Sequence, residues 1–203
     1  EICIRNGVYI VADEIHCELV FPGNIHIPFA SLSPEFSSHS VTCNSPSKAF
    51  NIAGLQIANI IVPDNDMRTR IDRAININEV CDVNPFGVEA LITAYNEGEE
   101  WLSQLLAYLK GNDDFMWDFC RQNLPQFPLT RLEGTYLEWM DCKTIGLASA
   151  ELEKRLIDEA GLWLNAGTMY GAEGEGFMRW NIACPRSRLT EGLERFRQYI
   201  SSL

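Results

Sequence analysis

Basic residues are scarce in this chain of 203 residues: 16 Lys and Arg stand against 28 Asp and Glu, for a formal charge of −12. Nonspecific binding to nucleic acid needs clustered cations facing phosphates, and adhesion to anionic membranes needs the same, so neither partner is expected. No apolar run reaches the roughly 20 residues of a membrane-spanning helix. The opening Glu1-Ile2-Cys3-Ile4-Arg5 lacks the apolar length and the small-residue cleavage site of a secretory leader. There is no C-x-x-C pair, no Cys/His ladder at zinc spacing and no N-x-[ST] sequon. The cysteines, at 3, 17, 43, 81, 120, 142 and 184, are odd in number and unrelated in spacing, and most sit in apolar stretches. They read as buried free thiols of a reducing, cytoplasmic compartment, with no metal bound. Internal repeats and low-complexity segments are missing too. Gly171, Gly174 and Gly176 do not have the G-x-G-x-x-G spacing and precede a strand, which excludes a dinucleotide loop.

What is present is an ordinary globular composition, 46% hydrophobic and 22% charged, with length for one or two domains. Val8–Ala12 is a short apolar run closed by Asp13-Glu14, and reads as a strand of a buried parallel sheet. Ser40–Cys43 and Ile57–Val62 are further strands, the first ending in Asn44-Ser45-Pro46-Ser47-Lys48. Asp64 caps an expected helix from about Asn65 to Asn76, and Pro85 suits the first turn of another. Trp101, Leu102, Leu105, Leu106 and Leu109 recur at helical spacing, Gly111-Asn112-Asp113-Asp114 interrupts them, and Phe115, Met116, Phe119 and Cys120 resume. Leu124–Pro128 is a breaker segment. Beyond it the pattern predicts strands at Tyr136–Met140, Leu162–Leu164 and Phe177–Ile182, a helix at Ser149–Ala160, and a last helix with Leu189, Leu193, Phe196 and Ile200 on one face. The mixture is α/β or α+β. The chain opens inside what reads as a sheet, with nothing obvious to flank and cover the first strand, which suggests a fragment.

Asp13 and Lys48 each close a strand, and ligands of open α/β sheets sit beyond the carboxyl ends of strands. Asp13-Glu14-Ile15-His16 is followed, with the lysine 35 residues after the acid, by Ser45-Pro46-Ser47-Lys48-Ala49-Phe50-Asn51-Ile52-Ala53-Gly54. Further on come Gly134-Thr135-Tyr136-Leu137 and Gly174-Glu175-Gly176-Phe177-Met178-Arg179-Trp180-Asn181-Ile182-Ala183-Cys184-Pro185-Arg186. In this order and spacing the motifs resemble the fold-type I pyridoxal-phosphate enzymes, the aspartate aminotransferase superfamily (class I/II), and within it the carbon–sulfur β-lyases such as cystathionine β-lyase and cysteine desulfhydrase. The resemblance covers essentially the whole chain, and members are about twice as long. It implies an α/β fold: the C-terminal part of the large cofactor-binding domain, a mainly parallel sheet with helices, over residues 1–100. A connecting helical segment at 101–124 and a small α+β C-terminal domain at 125–203 would follow.

The resemblance also implies roles. Lys48 holds the aldehyde of pyridoxal 5'-phosphate and acts as the general base at the substrate Cα, a task for which burial and nearby cations would keep its amine neutral. Asp13 pairs with the pyridine nitrogen, and His16 tunes the phenolic oxygen. Ser45 and Ser47 offer hydroxyls to the phosphate. Where many relatives carry a phosphate-binding arginine, eight residues after the lysine, this chain has Gln56, which cannot neutralise charge and departs from the ordinary aminotransferases. Arg179 forks onto the substrate carboxylate. Arg186, His26 and His39 read as structural. The expected activity is β-elimination from a small sulfur amino acid, giving pyruvate, ammonia and a thiol, in a homodimer. An aminotransferase is the alternative within the same cofactor class. A non-catalytic piece unable to retain cofactor is the alternative outside it.

Overall fold

The computed structural model describes residues 1–80 and 82–203. Cys81 lies outside the described residues, and the other six cysteines are free thiols. Two units divide the chain, Glu1–Leu105 and Leu106–Leu203.

The first unit begins with the short helix α1 (Ile2–Arg5) and strand β1 (Ile10–Asp13). Helix α2 (Pro34–Ser38), capped by the Ser33 hydroxyl, leads into β2 (Ser40–Asn44), and β3 (Asn59–Ile61) completes a sheet of order β1-β2-β3. β1 and β2 are parallel; β3 runs antiparallel to β2. Helix α3 (Asn65–Ile77) starts where the sequence places it, with Asp64 Oδ1 accepting from the Met67 N–H at 2.8 Å. Helix α4 (Pro85–Glu97) has Pro85 in its first turn and the Asn84 side chain as cap. Among the described residues of this unit the buried hydrophobic side chains are few: Leu19, Phe21, Val41, Ala49, Ile57 and Val62. Val11 of β1 and Ile60 and Ile61 of β3 are exposed, Val11 by 69%.

Helix α5 (Glu99–Asn123) is continuous, which corrects the expected break at Gly111–Asp114. The polar residues there are anchors. Asn112 is fully buried; its Nδ2 donates to the carbonyls of Ile182 (2.8 Å) and Cys184 (3.0 Å), and its Oδ1 accepts from Arg186 Nε (2.8 Å). The neighbouring Asp113 accepts from Lys110 at 2.9 Å. A side-chain amide with all its groups satisfied costs a helix little.

In the second unit, β4 (Leu137–Asp141), helix α6 (Ser149–Ala160), the two-residue β5 (Asn165–Ala166), β6 (Phe177–Asn181) and helix α7 (Arg186–Ile200) follow in order. The sheet is antiparallel, in the order β4-β6-β5. The expected strand at Leu162–Leu164 is displaced: Leu164 is buried, but the ladder forms one residue later, where Asn165 pairs with Arg179. Alternation in β4 and β6 turns Glu138, Met140, Met178 and Trp180 into the core. There they meet Leu152 and Leu156 of α6 and Leu189, Leu193 and Phe196 of α7, with Phe196 edge-on to both Phe127 and Trp180. Each large apolar side chain so buried contributes roughly 1.5–3 kcal/mol. The opposite face of the sheet carries Trp139, Arg179 and Asn165.

Candidate active site

The parallel register of β1 and β2 pairs Asp13 with Cys43, so both strands end at one edge of the sheet. The Glu14 N–H continues the ladder onto the Cys43 carbonyl at 2.8 Å. Asp13 and the turn carrying Lys48 therefore leave the sheet at the same edge, the one at which open α/β sheets hold ligands. Asp13 is exposed; its Oδ1 accepts from the Ile15 N–H at 3.3 Å, and Oδ2 has no partner among the described residues. His16 is half-buried in the turn after β1. Glu14 is occupied, bonding His26 Nε2 at 3.0 Å and the Phe29 N–H at 2.8 Å, which gives His26 its structural role. His39 stacks on Tyr9.

The lysine turn spans Pro46–Phe50 and closes with the Phe50 N–H on the Pro46 carbonyl at 2.9 Å. Ser45 is buried at its base. Its hydroxyl donates to the Ile57 carbonyl at 2.6 Å, accepts from the Ser47 N–H at 3.1 Å and contacts the Ser47 hydroxyl. With its proton spent on Ile57, Ser45 serves the turn first, and Ser47 is the hydroxyl nearer the surface. Helices brace the turn from outside: Trp101 Nε1 donates to the carbonyl of the buried Ala49 at 3.2 Å, and Phe50 packs edge-on against Tyr95. Tyr95 in turn donates to Glu18 Oε1 at 3.0 Å. A Cβ on Gly98 would come within 2.4 Å of the Phe50 ring, so only glycine fits there. These braces escape sequence reading, because nothing local ties residues 95–101 to 49–50.

Lys48 is exposed, which departs from the buried amine expected for it. It differs from the other three lysines in a second way. Lys110 pairs with Asp113 and Asp114, Lys143 with Asp141 and Lys154 with Asp158, whereas Lys48 has no acidic partner among the described residues. Gln56 is exposed, in the left-handed region at φ 51°. The thiol of Cys17 is pushed up to about 12 by burial and by Glu18, so it stays protonated and inert.

Arg179 stands in the second unit, on β6 between Trp139 and Asn165, its registered neighbours on either side. Its Nη2 donates to Asn165 Oδ1 at 2.9 Å, and its guanidinium lies over the Tyr170 ring, 4.3 Å from the centroid. Tyr170 is edge-on to Trp139 at 5.5 Å. The Nε of Arg179 is buried and has no acceptor among the described residues. Arg186, expected to be structural, is held by Asn112 and lies over the Phe115 ring. Among the described residues no group of three or more His, Cys, Asp or Glu is arranged to hold a metal ion, and no helix is long and apolar enough to cross a membrane.

Residues 1–196 match the aminotransferase class I and II family. The chain is 41% identical over 201 residues to cystathionine beta-lyase PatB of Bacillus subtilis, a match covering 99% of this chain and 52% of that protein. It is 31% identical over 194 residues to protein MalY of Escherichia coli, covering 95% and 49% respectively. Among solved structures it is similar to cystalysin from Treponema denticola, which contains a pyridoxal 5'-phosphate cofactor, with a TM-score of 0.94, 30% identity, and coverage of 99% of this chain and 51% of that one. The chain thus spans about half the length of the curated relatives it matches, and its structure is a partial fold-type I unit. Over nearly all of its length, then, the chain belongs to the class I and II aminotransferase family.

Proposed function

We propose that this polypeptide carries the lysine half of a pyridoxal-phosphate-dependent carbon–sulfur β-lyase of the cystathionine β-lyase type. The observation that carries the reading is Lys48: a lysine without an acidic partner among the described residues, on a braced turn, at the sheet edge where Asp13 also ends. The donor set fits the cofactor. A primary amine free of carboxylates suits an aldehyde, and a carboxylate with one open oxygen suits a pyridinium N–H. The Ser47 hydroxyl suits a phosphate oxygen, with Ser45 shaping the turn beneath it, and the half-buried His16 suits the ring's phenolic oxygen. Pyridoxal phosphate, when bound, supplies an electron sink for negative charge developing at the substrate Cα.

The residues of this chain supply the rest. Asp13 holds a proton on the ring nitrogen, which deepens that sink. Lys48 removes the proton from Cα as general base. The sulfur on Cβ then departs as a thiol, and hydrolysis of the remaining fragment gives pyruvate and ammonia. Arg179 receives the α-carboxylate of the amino acid through its planar N–H fork. Gln56, in place of a cationic phosphate ligand, leaves the phosphate dependent on neutral donors. In the same reading residues 1–100 belong to the cofactor-binding large domain, 101–124 connect, and 125–203 form the small domain. The apolar surface of Val11, Ile60 and Ile61 supports assembly as a homodimer, and the free thiols support a reducing, cytoplasmic setting.

A pyruvate assay with L-cystathionine, on a polypeptide of the relatives' length, tests the activity. Lys48→Ala should lower pyruvate release by about 10³-fold or more. Full turnover in that variant would end the proposal, and conversion of the cofactor to its amino form without pyruvate would favour an aminotransferase. The exposure of both Lys48 and Asp13 favours a second reading for the 203 residues by themselves: the cofactor binds reversibly at Lys48 without turnover.

A further inference from the structure

Arg179 is half-buried in a chain rich in acids, yet among the described residues no carboxylate lies within ion-pair distance of it. Its one hydrogen bond among the described residues goes to a neutral amide, Asn165 Oδ1, at 2.9 Å. Its Nε–H is buried and unanswered. Leaving a charged donor buried without a partner is costly, so such an arrangement persists where a ligand completes it. Two groups fix the guanidinium meanwhile. Asn165 lies directly across from Arg179 on β5, so both side chains stand on the same face of the sheet. Tyr170 presents its ring face at 4.3 Å, and that ring is held edge-on by Trp139.

We propose that Asn165 and Tyr170 are positioning residues of the carboxylate subsite: together they aim the Arg179 fork without neutralising it, so that its positive charge is kept for an incoming carboxylate. The inference rests on the assignment of Arg179 as carboxylate anchor and goes beyond it. An amide oxygen is the informative choice here. An aspartate at the same place would accept the same hydrogen bond more strongly, but it would also hold an internal ion pair and compete with the substrate carboxylate. A purely structural contact would gain from that change; a subsite would lose by it. The ring supplies a cation–π platform, which needs the aromatic face and not the phenol.

The test uses the 203-residue chain, with acetate as probe and the ¹⁵N-labelled Arg179 Nε–H signal as readout, alongside thermal melting. The unsubstituted chain should give a saturable shift of that signal. Asn165→Ala should weaken acetate about threefold, and Asn165→Asp about tenfold or more, with melting unchanged or raised. The order Asn, then Ala, then Asp is the signature. Acetate binding in Asn165→Asp equal to or tighter than that in Asn165→Ala would overturn the positioning role while leaving Arg179 as the anchor. No saturable shift in the unsubstituted chain would overturn the anchor and this inference with it. Should Asn165→Asp fail to fold, Tyr170→Phe and Tyr170→Leu decide: Phe should retain binding and Leu should weaken it about threefold, and equal binding in both would reject the platform. At the relatives' length, Asn165→Asp should raise KM for the amino acid with kcat much less affected.

Discussion

The two units solve the same problem differently. In the second, a three-stranded sheet and helices α6 and α7 close on a core of Met140, Leu156, Met178, Ile182, Leu193 and Phe196, each completely buried. In the first, the sheet that carries Asp13 and the lysine turn leaves Val11, Ile60 and Ile61 open on its surface, and its sealed apolar residues are few. The second unit, which holds Arg179, is thus stabilised from within. The first unit keeps the turn carrying Lys48 in shape by local bracing, from Trp101 on Ala49, Tyr95 on Phe50 and Ser45 on Ile57. The exposed Lys48 sits on the more open of the two frameworks.

Phe196→Ala removes a ring packed against Phe127 and Trp180 and should cost the second unit about 3–5 kcal/mol in a denaturant titration. A loss below about 1 kcal/mol would mean that its core is not closed.

A smaller, pH-dependent effect lies in the same core. Glu138 is fully buried, and neither of its oxygens meets a hydrogen-bond donor among the described residues. Burial first, and the charge of Asp113 second, push its carboxyl up to about 9, against the weaker pull of Arg131 and Lys110. Protonated, one carboxyl bonds the other; ionised, the pair repels. The sign follows from linkage. The folded chain binds this proton and the unfolded chain releases it near 4.5, so stability falls as pH rises from about 4.5 through about 9. Glu138→Gln keeps a donor toward Asp113 and removes the ionisation. Melting curves should place it about 1–3 kcal/mol above the unsubstituted chain at pH 9 and near it at pH 5. An identical pH profile in the two chains would show that the buried pair is not coupled to folding.

The smallest effect belongs to the first unit. Val11→Thr alters an exposed strand residue and should change stability by no more than about 0.5 kcal/mol, while light scattering reports less self-association. A loss of several times that size would mean that the open face is covered in solution.

The same contrast governs what could be read from sequence. Periodicity located α7 through Leu189, Leu193 and Phe196, and capping chemistry located α3 through Asp64, because both signals are local. The break expected at Gly111–Asp114 is absent because Asn112 is satisfied by Ile182, Cys184 and Arg186, some seventy residues away, which no window over α5 contains. The strand expected at Leu162–Leu164 gave way to Asn165–Ala166 because the register is set by β6. At the site, the short apolar runs that end near Asp13 and Asn44 are local signals, and the two strands they mark pair in parallel. The exposure of Lys48, the commitment of the Ser45 proton to Ile57, and the setting of Arg179 by Asn165 and Tyr170 depend on contacts distant in sequence.

The central claim concerns one amine out of four: Lys48, Lys110, Lys143 and Lys154 are all the lysines this chain has. Incubation with pyridoxal phosphate, reduction with borohydride and peptide mass mapping should find the pyridoxyl group on Lys48 in large excess over the other three, and Asp13→Asn should reduce that excess. Label spread evenly over the four lysines, or concentrated on one of the three that are ion-paired, would contradict the account.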